Sequence, residues 1–565
     1  MSDIIKDPET GPINVDNVSI KRRRSNFQKI KHTFTALSVI ILLGYTIYTH
    51  HSSIFKSLSS NNNNDIPPNP YSNVKALRPS TNSEKSHFIY TDPDFRNASL
   101  KKYQGWEPFL KLHEFLEKTY PLIHKHLKVE KINKLGLIVT FQGSKPELEP
   151  ILFTAHQDVV PVDHETLDKW NYPPYSAHFD GKFVWGRGSA DTKNLFSGIF
   201  ETFEELLKDG IQPKRTLIFA GGYDEEAIGR YDGAKSLQKF LENRYGHKSF
   251  YALLDEGGGV SKVGENSWIA SPGIAEKGYL DIYIQLFTPG GHSSIPPDHT
   301  SIGIIGDLTG LIENDPYPSV LTADNPILDF LRTSAEISGD LDDDTKNDYI
   351  RAKYDSKARE RVLTKLIHNK SKKYLVRTSQ SIDIVQAGVK INAIPEVLTL
   401  GINHRISLER TAQEVIDNVI KNVKIIAEKH GLGVTLEEGE TTILDKTEAG
   451  SFDVRWVQAL DPSPISKTND KTWDILSSSI KHSFDDVIFK DQNQTVEIAP
   501  YLVGGYTDAS RYWPLTDHVY RFAGAASNSG PSNAHAINEH SEFDTHLQII
   551  AFLYDYILNV NEYDS

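Results

Sequence analysis

Four short groups of histidine and carboxylate residues lie along the chain, each just past an apolar run, and a fifth group follows much later. The groups occupy residues 154–158, 185–193, 224–226, 255–258 and 533–539. The first four are separated from one another by about one strand and one helix. Because sites in open α/β sheets gather beyond the carboxyl ends of the strands, we expect these groups to converge on one point.

The side chains in these groups are suited to metal chemistry. They include His156, His535 and several carboxylates, and the chain has no cysteine. Imidazole and carboxylate donors without thiolates are typical of a catalytic zinc site, which keeps one coordination position open. A carboxylate can also bridge two metal ions about 3.5–4 Å apart, which suits the activation of one water molecule. The pattern therefore predicts a catalytic metal site.

Two of the groups contain residues whose order along the chain has a specific use. His156 and Asp158 form a His-x-Asp pair, in which the aspartate can accept the second imidazole N–H and orient the histidine toward a metal. Glu225 and Glu226 are adjacent, so one can bind metal while the other transfers protons. The first pair therefore predicts an oriented metal ligand, and the second predicts proton transfer beside the metal.

The segments between the groups predict the elements that position them. Residues 135–141, 150–155, 216–220 and 251–254 are short apolar runs typical of buried strands, and residues 194–207 carry apolar side chains at helical spacing. Strands that alternate with helices indicate an α/β domain. The expected fold is a mostly parallel sheet flanked by helices.

A second pattern interrupts this domain. Residues 280–287 alternate apolar and polar side chains, as expected for a half-exposed strand, and helical and strand-like segments follow. We therefore expect an inserted α+β domain at residues 279–437, which we call the lid. The catalytic domain then consists of residues 91–278 and 438–565.

The composition excludes several classes of protein. The chain has 565 residues, a net charge of −14 and no cysteine. An acidic surface does not favour binding along a nucleic-acid backbone, so no nucleic-acid partner is expected. The absence of cysteine excludes disulfide scaffolds, cysteine-ligated zinc, iron–sulfur clusters and thiol nucleophiles.

The N-terminal region predicts a membrane anchor. Residues 33–49 are uncharged and mostly apolar, and the basic residues near them are concentrated on the N-terminal side. The positive-inside rule makes this a single-pass type II signal-anchor, with a cytosolic basic tail at 1–32 and a lumenal catalytic part. A cleaved signal peptide is the alternative, but the segment that precedes the apolar run is long for one. Residues 50–90 have the composition of a flexible tether.

Three sequons for N-glycosylation lie on the lumenal side of the predicted anchor and would be usable there. They are at Asn97, Asn369 and Asn493. The sequence therefore predicts a lumenal glycoprotein.

Six motifs occur in a fixed order within residues 95–560, namely A-H-x-D, G-R-G-x-x-D-x-K, D-E-E, L-D-E-G-G, G-G-H-S-S and N-A-H-x-x-N-E. In this order they resemble the co-catalytic zinc peptidases, a family that includes aminoacylases and carboxypeptidases. The anchor and tether are similar to those of the fungal vacuolar members. The resemblance implies the co-catalytic dizinc exopeptidase fold, two Zn²⁺ per subunit and a vacuolar location.

The resemblance also implies roles for the residues of these motifs. His156 would bind one zinc ion, Asp191 would bridge both ions, and Asp158 would orient His156. Glu225 would be the general base for a metal-activated water. The remaining ligands would be Glu226 and His535 on the other zinc, and either Asp255, which we favour, or Glu256.

The lid carries residues that match the family's substrate contacts. His292 would stabilise the oxyanion, and in dimeric relatives it reaches the partner's site, which implies a possible homodimer through the lid. Asn392 would bind substrate, and Arg405 would hold a substrate carboxylate with a bidentate fork. Arg511 lies one position later than the family's G-x-T-D-x-R pattern expects, so a substrate-binding role for it stays open.

Three functions are compatible with the sequence. The first is a membrane-anchored dizinc metallocarboxypeptidase that hydrolyses the C-terminal peptide bond of short peptides with a free carboxylate. The second keeps this chemistry but acts on N-acyl amino acids. The third is a catalytically inactive anchored binding protein, which the sequence disfavours because no expected ligand or base is missing.

Overall fold

The computed structural model describes residues 107–227, 232–370, 372–527, 530 and 532–563. All of them belong to one compact unit, Asn69–Ser565. The predicted tail (1–32), anchor (33–49), tether (50–90) and Asn97 lie outside the described residues. Within the described residues, no helix is both long enough and apolar enough to cross a membrane. Two of the predicted glycosylation sites, Asn369 and Asn493, are exposed.

The strands of the described part form two large and two small sheets. In chain order they are β1 (Lys128–Ile132), β2 (Gly136–Phe141), β3 (Ile151–His156), β4 (His178–Phe179), β5 (Phe183–Trp185), β6 (Leu217–Gly222), β7 (Ala252–Lys262), β8 (Ser267–Ala270), β9 (Gly273–Glu276), β10 (Gly278–Phe287), β11 (Gly291–His292), β12 (Ser379–Ala387), β13 (Ala393–Ile394), β14 (Val397–Ile406), β15 (Gly433–Leu436), β16 (Thr441–Leu444), β17 (Ser451–Leu460), β18 (Thr495–Ile498), β19 (Tyr501–Val503), β20 (Val519–Ala526) and β21 (His540–Glu542).

The α-helices of the described part surround the two large sheets. In chain order they are α1 (Glu107–Thr119), α2 (Pro121–His126), α3 (Lys193–Lys208), α4 (Gly233–Tyr245), α5 (Ser301–Asn314), α6 (Ile327–Ile337), α7 (Asp343–Arg351), α8 (Ser356–Ile367), α9 (Ala412–His430), α10 (Lys471–Lys481) and α11 (Phe543–Tyr563). The helix expected at residues 194–207 is α3.

The larger sheet has the order β1-β2-β6-β3-β7-β20-β9-β19, with β8 beside β7 and β18 beside β8. Its centre is parallel, because β3 pairs with β6 and β7, and β7 pairs with β20, in the same direction. At one edge, β2 is antiparallel to both β1 and β6. The prediction of a mostly parallel sheet is therefore corrected to a mixed sheet. The reason is local: Asn133 and Lys134 have positive φ in a tight turn, which can join β1 and β2 only as a hairpin.

Helices cover both faces of this sheet. Side chains of α1, α3, α10 and α11 share one core with it, and α4 packs on the opposite face. On α3, Phe196, Phe200 and Phe203 follow helical spacing, and each is at most 2% exposed. Burial of one such side chain stabilises the fold by roughly 1.5–3 kcal/mol. This packing fixes the position at which α3 begins, beside the carboxyl ends of the central strands.

The second large sheet has the order β12-β14-β10-β17-β15-β16, and α5 and α9 share its core. A capping box between Thr411 and Glu414 begins α9, and Gly431 ends it in the left-handed region. The sheet extends beyond residue 437, the expected end of the lid, because β17 pairs with both β10 and β15. Side chains in β17 alternate between apolar and polar, as is typical of a half-exposed strand. This pattern could have indicated that the inserted domain extends beyond residue 437.

The chain crosses between the two large sheets at closely packed points. A Cβ atom on Gly278 would lie 2.4 Å from the carbonyl oxygen of Leu460, so this approach requires glycine. Helices α6 and α8 form a small core of their own. In this core Phe330 packs against Tyr501 of the larger sheet, with ring centroids 5.0 Å apart. The core of α6 and α8 is thus connected to the larger sheet by packing.

Candidate metal centre

Neighbouring strands of the larger sheet carry most of the predicted metal-site residues at one edge. His156 is the last residue of β3, Glu225 and Glu226 follow β6, and Asp255 and Glu256 lie on β7. Because β3 runs parallel to β6 and to β7, the carboxyl-terminal sides of these strands face the same edge. The fold therefore brings residues that are far apart in sequence to one place.

Asp191 and the second histidine reach this edge from loops. Asp191 precedes α3, and His535 lies between β20 and β21. Asp191 Oδ1 is 3.1 Å from His156 Nε2, and Asp191 Oδ2 is 2.9 Å from His535 Nε2. The same His535 nitrogen is 3.1 Å from Glu226 Oε1. Asp191 thus directs one oxygen to each histidine, as a carboxylate that bridges two ions must do.

The geometry distinguishes Asp255 from Glu256. Glu256 Oε1 is 3.4 Å from His156 Nε2. Asp255 instead accepts a hydrogen bond through Oδ2 from the backbone N–H of Ala509, at 2.9 Å. Successive side chains of a strand point to opposite faces, so only one of the two can reach the histidine. The geometry therefore places Glu256, and not the favoured Asp255, beside His156.

The residues that converge form what we call the ligand cluster, which consists of His156, Asp191, Glu226, Glu256 and His535. Three overlapping combinations have ligand atoms within 4.8 Å of one another: His156 with Asp191 and Glu256, His156 with Glu225 and Glu226, and Asp191 with Glu226 and His535. The first and third combinations share Asp191 and would give two adjacent sites. Imidazole and carboxylate donors match zinc and related first-row divalent ions.

Asp158 contacts the cluster from behind. Its Oδ1 is 3.4 Å from His156 Nδ1, the ring nitrogen that does not face the cluster. Its two oxygens also accept the backbone N–H groups of Glu225, at 3.2 Å, and Glu226, at 2.9 Å. One carboxylate therefore lies where it can orient the histidine, and it also holds the segment of the two glutamates. The second contact could not be foreseen from the His-x-Asp spacing.

The site contains several buried carboxylates whose negative charges lie close to one another. Burial raises the pKa of Glu225 well above its usual value, and the nearby Glu256 and Glu226 raise it further against the opposing effect of His156. Burial also raises the pKa of Glu256 well above its usual value. A divalent ion would supply the missing positive charge.

The pKa values of the two histidines are raised by the same excess of negative charge. Burial by itself would lower the pKa of His156, but Glu256 and the hydrogen bonds to Asp158 and Asp191 outweigh it, and the pKa lies well above its usual value. Hydrogen bonds to Asp191 and Glu226 raise the pKa of His535 to about 10. Both rings therefore lie where positive charge is strongly favoured, which fits a site for cations.

Lys193 is a buried residue whose position the sequence analysis did not foresee. It begins α3, is 1% exposed, and donates through Nζ to the backbone carbonyls of Gln157 and Asp158. Burial lowers its pKa to about 8, against the opposing charge of Asp158. Lys193 thereby connects the start of α3 to the segment after β3. The lysine of the G-R-G-x-x-D-x-K motif was the signal that could have identified it.

The first two predicted substrate residues of the lid are exposed. His292 lies on the two-stranded sheet of β11 and β13, and Asn392 is in the turn before β13. The backbone N–H of Ser294 donates to His292 Nδ1 at 3.2 Å. In the neutral ring the proton therefore sits on Nε2. Within the described residues, the ring's hydrogen bonds are to Ser294 and not to the ligand cluster.

The two predicted arginines lie beside a pair of aromatic rings. The Arg405 guanidinium is 4.4 Å from the ring centroid of Tyr279, and that of Arg511 is 5.8 Å from the ring centroid of Tyr506. The two tyrosine centroids are 5.8 Å apart. Arg511 also donates through Nη2 to Gln458 Oε1 at 2.5 Å. Arg405 of the lid is thus close to the loop that carries Arg511, and Arg511 itself has a structural partner.

Comparison with known proteins identifies the family. Residues 152–559 match peptidase family M20/M25/M40. The chain belongs to this family. Carboxypeptidase S of Saccharomyces cerevisiae is 40% identical over 514 residues, which cover 87% of this chain and 88% of the relative. N-fatty-acyl-amino acid synthase/hydrolase PM20D1 of Mus musculus is 29% identical over 459 residues, which cover 80% of this chain and 82% of that relative.

A solved structure supports the fold. The M20 family metallo-carboxypeptidase Sso-CP2 from Sulfolobus solfataricus aligns with a TM-score of 0.56 at 15% identity, over 83% of this chain and 98% of the other. The resemblance to the zinc peptidases that the motifs predicted is confirmed by the family match and by the yeast relative. The expectation of a metallo-carboxypeptidase of the hydrolase class is confirmed by the same findings.

Proposed function

We propose that the protein is a dizinc exopeptidase that releases the C-terminal residue of short peptides. The observation that carries the proposal is the ligand cluster with Glu225 beside it, since its ligand groups overlap at Asp191. In this proposal His156, Asp191 and Glu256 would hold one zinc ion, and Asp191, Glu226 and His535 would hold the second. The donor set, and the surplus of buried negative charge, support this assignment.

The residues around the cluster would carry the proton transfers. When bound, the two ions activate a water molecule and polarise the scissile carbonyl group. Glu225 takes a proton from the attacking water and delivers it to the leaving nitrogen. Glu225 is 8% exposed, so few solvent molecules compete for this proton. The carboxylate of Asp158 accepts the backbone N–H of Glu225 and thereby positions this residue, and the same carboxylate orients His156.

The lid would recognise the free carboxylate of the substrate. Arg405 lies against Tyr279, and none of the ion pairs within the described residues uses its guanidinium. A guanidinium can hold a carboxylate with two parallel hydrogen bonds. His292 carries a ring proton on Nε2 that can be donated to the developing oxyanion. Asn392, on the same exposed turn, would bind the substrate through its amide.

An N-acyl amino acid hydrolase is the second candidate. The mouse relative is named an N-fatty-acyl-amino acid synthase/hydrolase, and the similarity covers 80% of this chain. Both substrate classes present an amide bond followed by a free carboxylate, so the same residues would act on either. The two classes differ only in the group on the acyl side of the bond.

A paired substrate panel tests the proposal. The full-length protein, purified with zinc, would be incubated with N-blocked dipeptides and N-fatty-acyl amino acids that share the same C-terminal residue, and the released amino acid would be measured. The proposal predicts faster release from the dipeptides, and little release from C-terminally amidated versions. Faster release from the acyl substrates would support the second candidate. Absence of release from both classes, with two zinc ions bound, would contradict both candidates and favour a binding protein.

We further propose that residues 33–49 anchor the enzyme in the vacuolar membrane with its catalytic part in the lumen. The uncharged apolar segment, its basic N-terminal flank and the resemblance to fungal vacuolar members support this. Deletion of residues 1–50 should move the protein from the membrane fraction to the supernatant. If the catalytic part is lumenal, treatment with a glycosidase should increase the gel mobility of the protein. This shift should be smaller in Asn369→Gln and in Asn493→Gln.

A homodimer through the lid is also part of the proposal, with His292 completing the site of the partner. His292 is exposed, and Val389 and Ile391 near it are 101% and 98% exposed, as expected for side chains that a second copy would cover. Mixing the inactive variants His292→Ala and Glu225→Gln should restore about a quarter of wild-type activity, because about half of the dimers are mixed and each then holds one complete site. If the mixture stays inactive, His292 acts within its own chain.

A further inference from the structure

One fully buried carboxylate outside the ligand cluster holds the loop that precedes α3. Glu539 is 0% exposed. Its Oε1 accepts hydrogen bonds from the backbone N–H groups of Gly188, Ala190 and Asp191, at 3.0, 3.1 and 3.2 Å. Its Oε2 accepts one from Arg187 Nη1 at 2.7 Å. All four donors belong to one loop, and the last of the three backbone donors is a member of the ligand cluster.

Further contacts fasten the loop of Glu539 itself. The backbone carbonyl of Glu539 accepts the N–H of Gly186 at 2.9 Å. Arg187 Nη1 also donates to the backbone carbonyl of Ala536, at 3.3 Å. Ala536 follows His535 directly in the chain, so the loop of His535 is connected to the loop before α3 at both Ala536 and Glu539. The two loops that bring ligands to the strand edge are therefore joined by one set of hydrogen bonds.

Both carboxylate oxygens of Glu539 are already occupied by hydrogen-bond donors of the loop before α3. An ionised carboxylate that is buried without partners costs several kcal/mol, so a buried one needs strong donors. Both oxygens of Glu539 already accept from such donors, and the contact with Arg187 is a charge-assisted hydrogen bond. Both of its oxygens are therefore engaged in hydrogen bonds with the loop that precedes α3.

We propose that Glu539 is a positioning residue for the metal pair. It fixes the backbone of Asp191, so that this side chain keeps one oxygen toward His156 and the other toward His535. The inference rests on the proposed two-metal site and adds to it a residue that contacts no ion. Loss of the carboxylate loosens the bridging ligand and lowers metal affinity, while the hydrophobic core remains intact.

Zinc titration of the metal-free, full-length protein tests this role. Wild type and Glu539→Gln would be titrated with Zn²⁺ against a chelator of known affinity. Glutamine keeps the size of the side chain but removes its charge. Depending on the orientation of the amide, Arg187 then faces either an NH₂ group, which cannot accept a hydrogen bond, or a neutral oxygen, which is a weaker acceptor. The zinc affinity should fall about 10–100-fold, the range found when a partner of a metal ligand is lost. Glu539→Asp, which keeps the charge, should recover part of the affinity.

A matched variant separates positioning from a general loss of packing. Asp555 is a 1% exposed carboxylate that is hydrogen-bonded to His482 and Ser483, at 2.8 and 3.2 Å, and it is not part of the ligand cluster. Asp555→Asn should reduce the melting temperature of the metal-free protein at least as much as Glu539→Gln does, yet leave zinc affinity unchanged.

The proposal is overturned if folded Glu539→Gln binds zinc within twofold of wild type, or if Asp555→Asn loses as much affinity. Should Glu539→Gln fail to fold, the titration of Glu539→Asp decides, and unchanged affinity in that variant overturns the proposal. A wild type that binds two zinc ions but hydrolyses neither substrate class would contradict the proposed function and leave the role of Glu539 standing.

Discussion

The ligand cluster and the predicted substrate residues of the lid are held in different ways. His156 is 1% exposed at the end of a fully buried strand, and the carboxylate of Asp158 lies behind its ring. His292, by contrast, is exposed on a two-stranded sheet with two residues in each strand, and Asn392 is exposed in the turn before β13. The proposed metal centre is therefore held by the catalytic domain. The proposed substrate contacts would depend on where the lid, or a second chain, places them.

This difference predicts two kinds of variant. Changes in the ligand cluster should remove metal and chemistry together, because each member of the cluster offers a donor atom to the proposed site. Changes at the exposed lid residues should leave the metals in place and alter turnover or substrate binding alone. A lid variant that lost metal, or a cluster variant that affected only substrate binding, would contradict this difference between the two regions.

The largest effect is expected at Glu256. Glu256→Ala should lose one of the two zinc ions and reduce turnover by about 10³-fold or more, because it removes a ligand and its charge. Asp255→Asn should keep both ions, since Asp255 accepts a hydrogen bond from Ala509 and asparagine can do the same. Metal content measured by mass spectrometry, beside turnover, decides between them. Retention of two ions in Glu256→Ala with loss of one in Asp255→Asn would restore Asp255 as the ligand.

The next effect is expected at His292. His292→Ala should reduce kcat about 10²–10³-fold, the cost of removing one donor to an oxyanion, with both zinc ions retained. KM should change little, because the donor acts mainly in the transition state. Steady-state kinetics with a blocked dipeptide measures both constants. Loss of bound zinc in this variant would show that the exposed ring is not a substrate contact alone.

A smaller effect is expected at Arg405. Arg405→Ala should raise KM about 10–100-fold for substrates with a free carboxylate, since hydrogen bonds between charged groups contribute about 1.5–3 kcal/mol. Arg511→Ala should have a weaker effect, because Arg511 already donates to Gln458. An equal rise in KM for C-terminally amidated substrates would exclude carboxylate binding by Arg405.

The smallest effect concerns stability in the core beneath the lid sheet. His404 is 0% exposed, and burial lowers its pKa to about 4 from an ordinary value of about 6.5. The unfolded chain therefore binds a proton that the folded chain does not, and the free energy of unfolding falls as pH decreases from 6.5 toward 4. The loss is at most about 3 kcal/mol. Urea unfolding of metal-free protein at pH 7 and pH 4.5 should show a smaller pH dependence in His404→Leu, and an unchanged dependence would contradict this account.

Part of the site could be predicted from the sequence because its chemistry follows local order. His156, Glu225 and Glu226 each come just after an apolar run, and parallel strands bring such positions to one edge. The choice between Asp255 and Glu256 could not be made, because it depends on which face of β7 turns toward His156. Which side chains of β7 face His156 is determined by the packing of the whole sheet.

Long-range contacts account for the other differences. Glu539 contacts Arg187 across 352 positions of the chain, and no periodicity reports such a pairing. The antiparallel edge of the larger sheet follows from a short turn at Asn133 and Lys134, whereas strand order suggested parallel pairing. The expected end of the lid at residue 437 missed β17, which belongs to the second sheet although it lies beyond the apparent return to the catalytic domain.

Metal content and turnover, measured together in Glu225→Gln, separate the proposed base from the proposed metal ligands. Glutamine keeps the shape of the side chain but cannot accept a proton from water. We expect two zinc ions per chain, as in wild type, and a turnover reduced by roughly 10²–10⁴-fold, the usual contribution of a general base. Near-normal turnover with both ions bound would contradict the assignment of Glu225 as the base, and loss of zinc would show that Glu225 is a ligand instead.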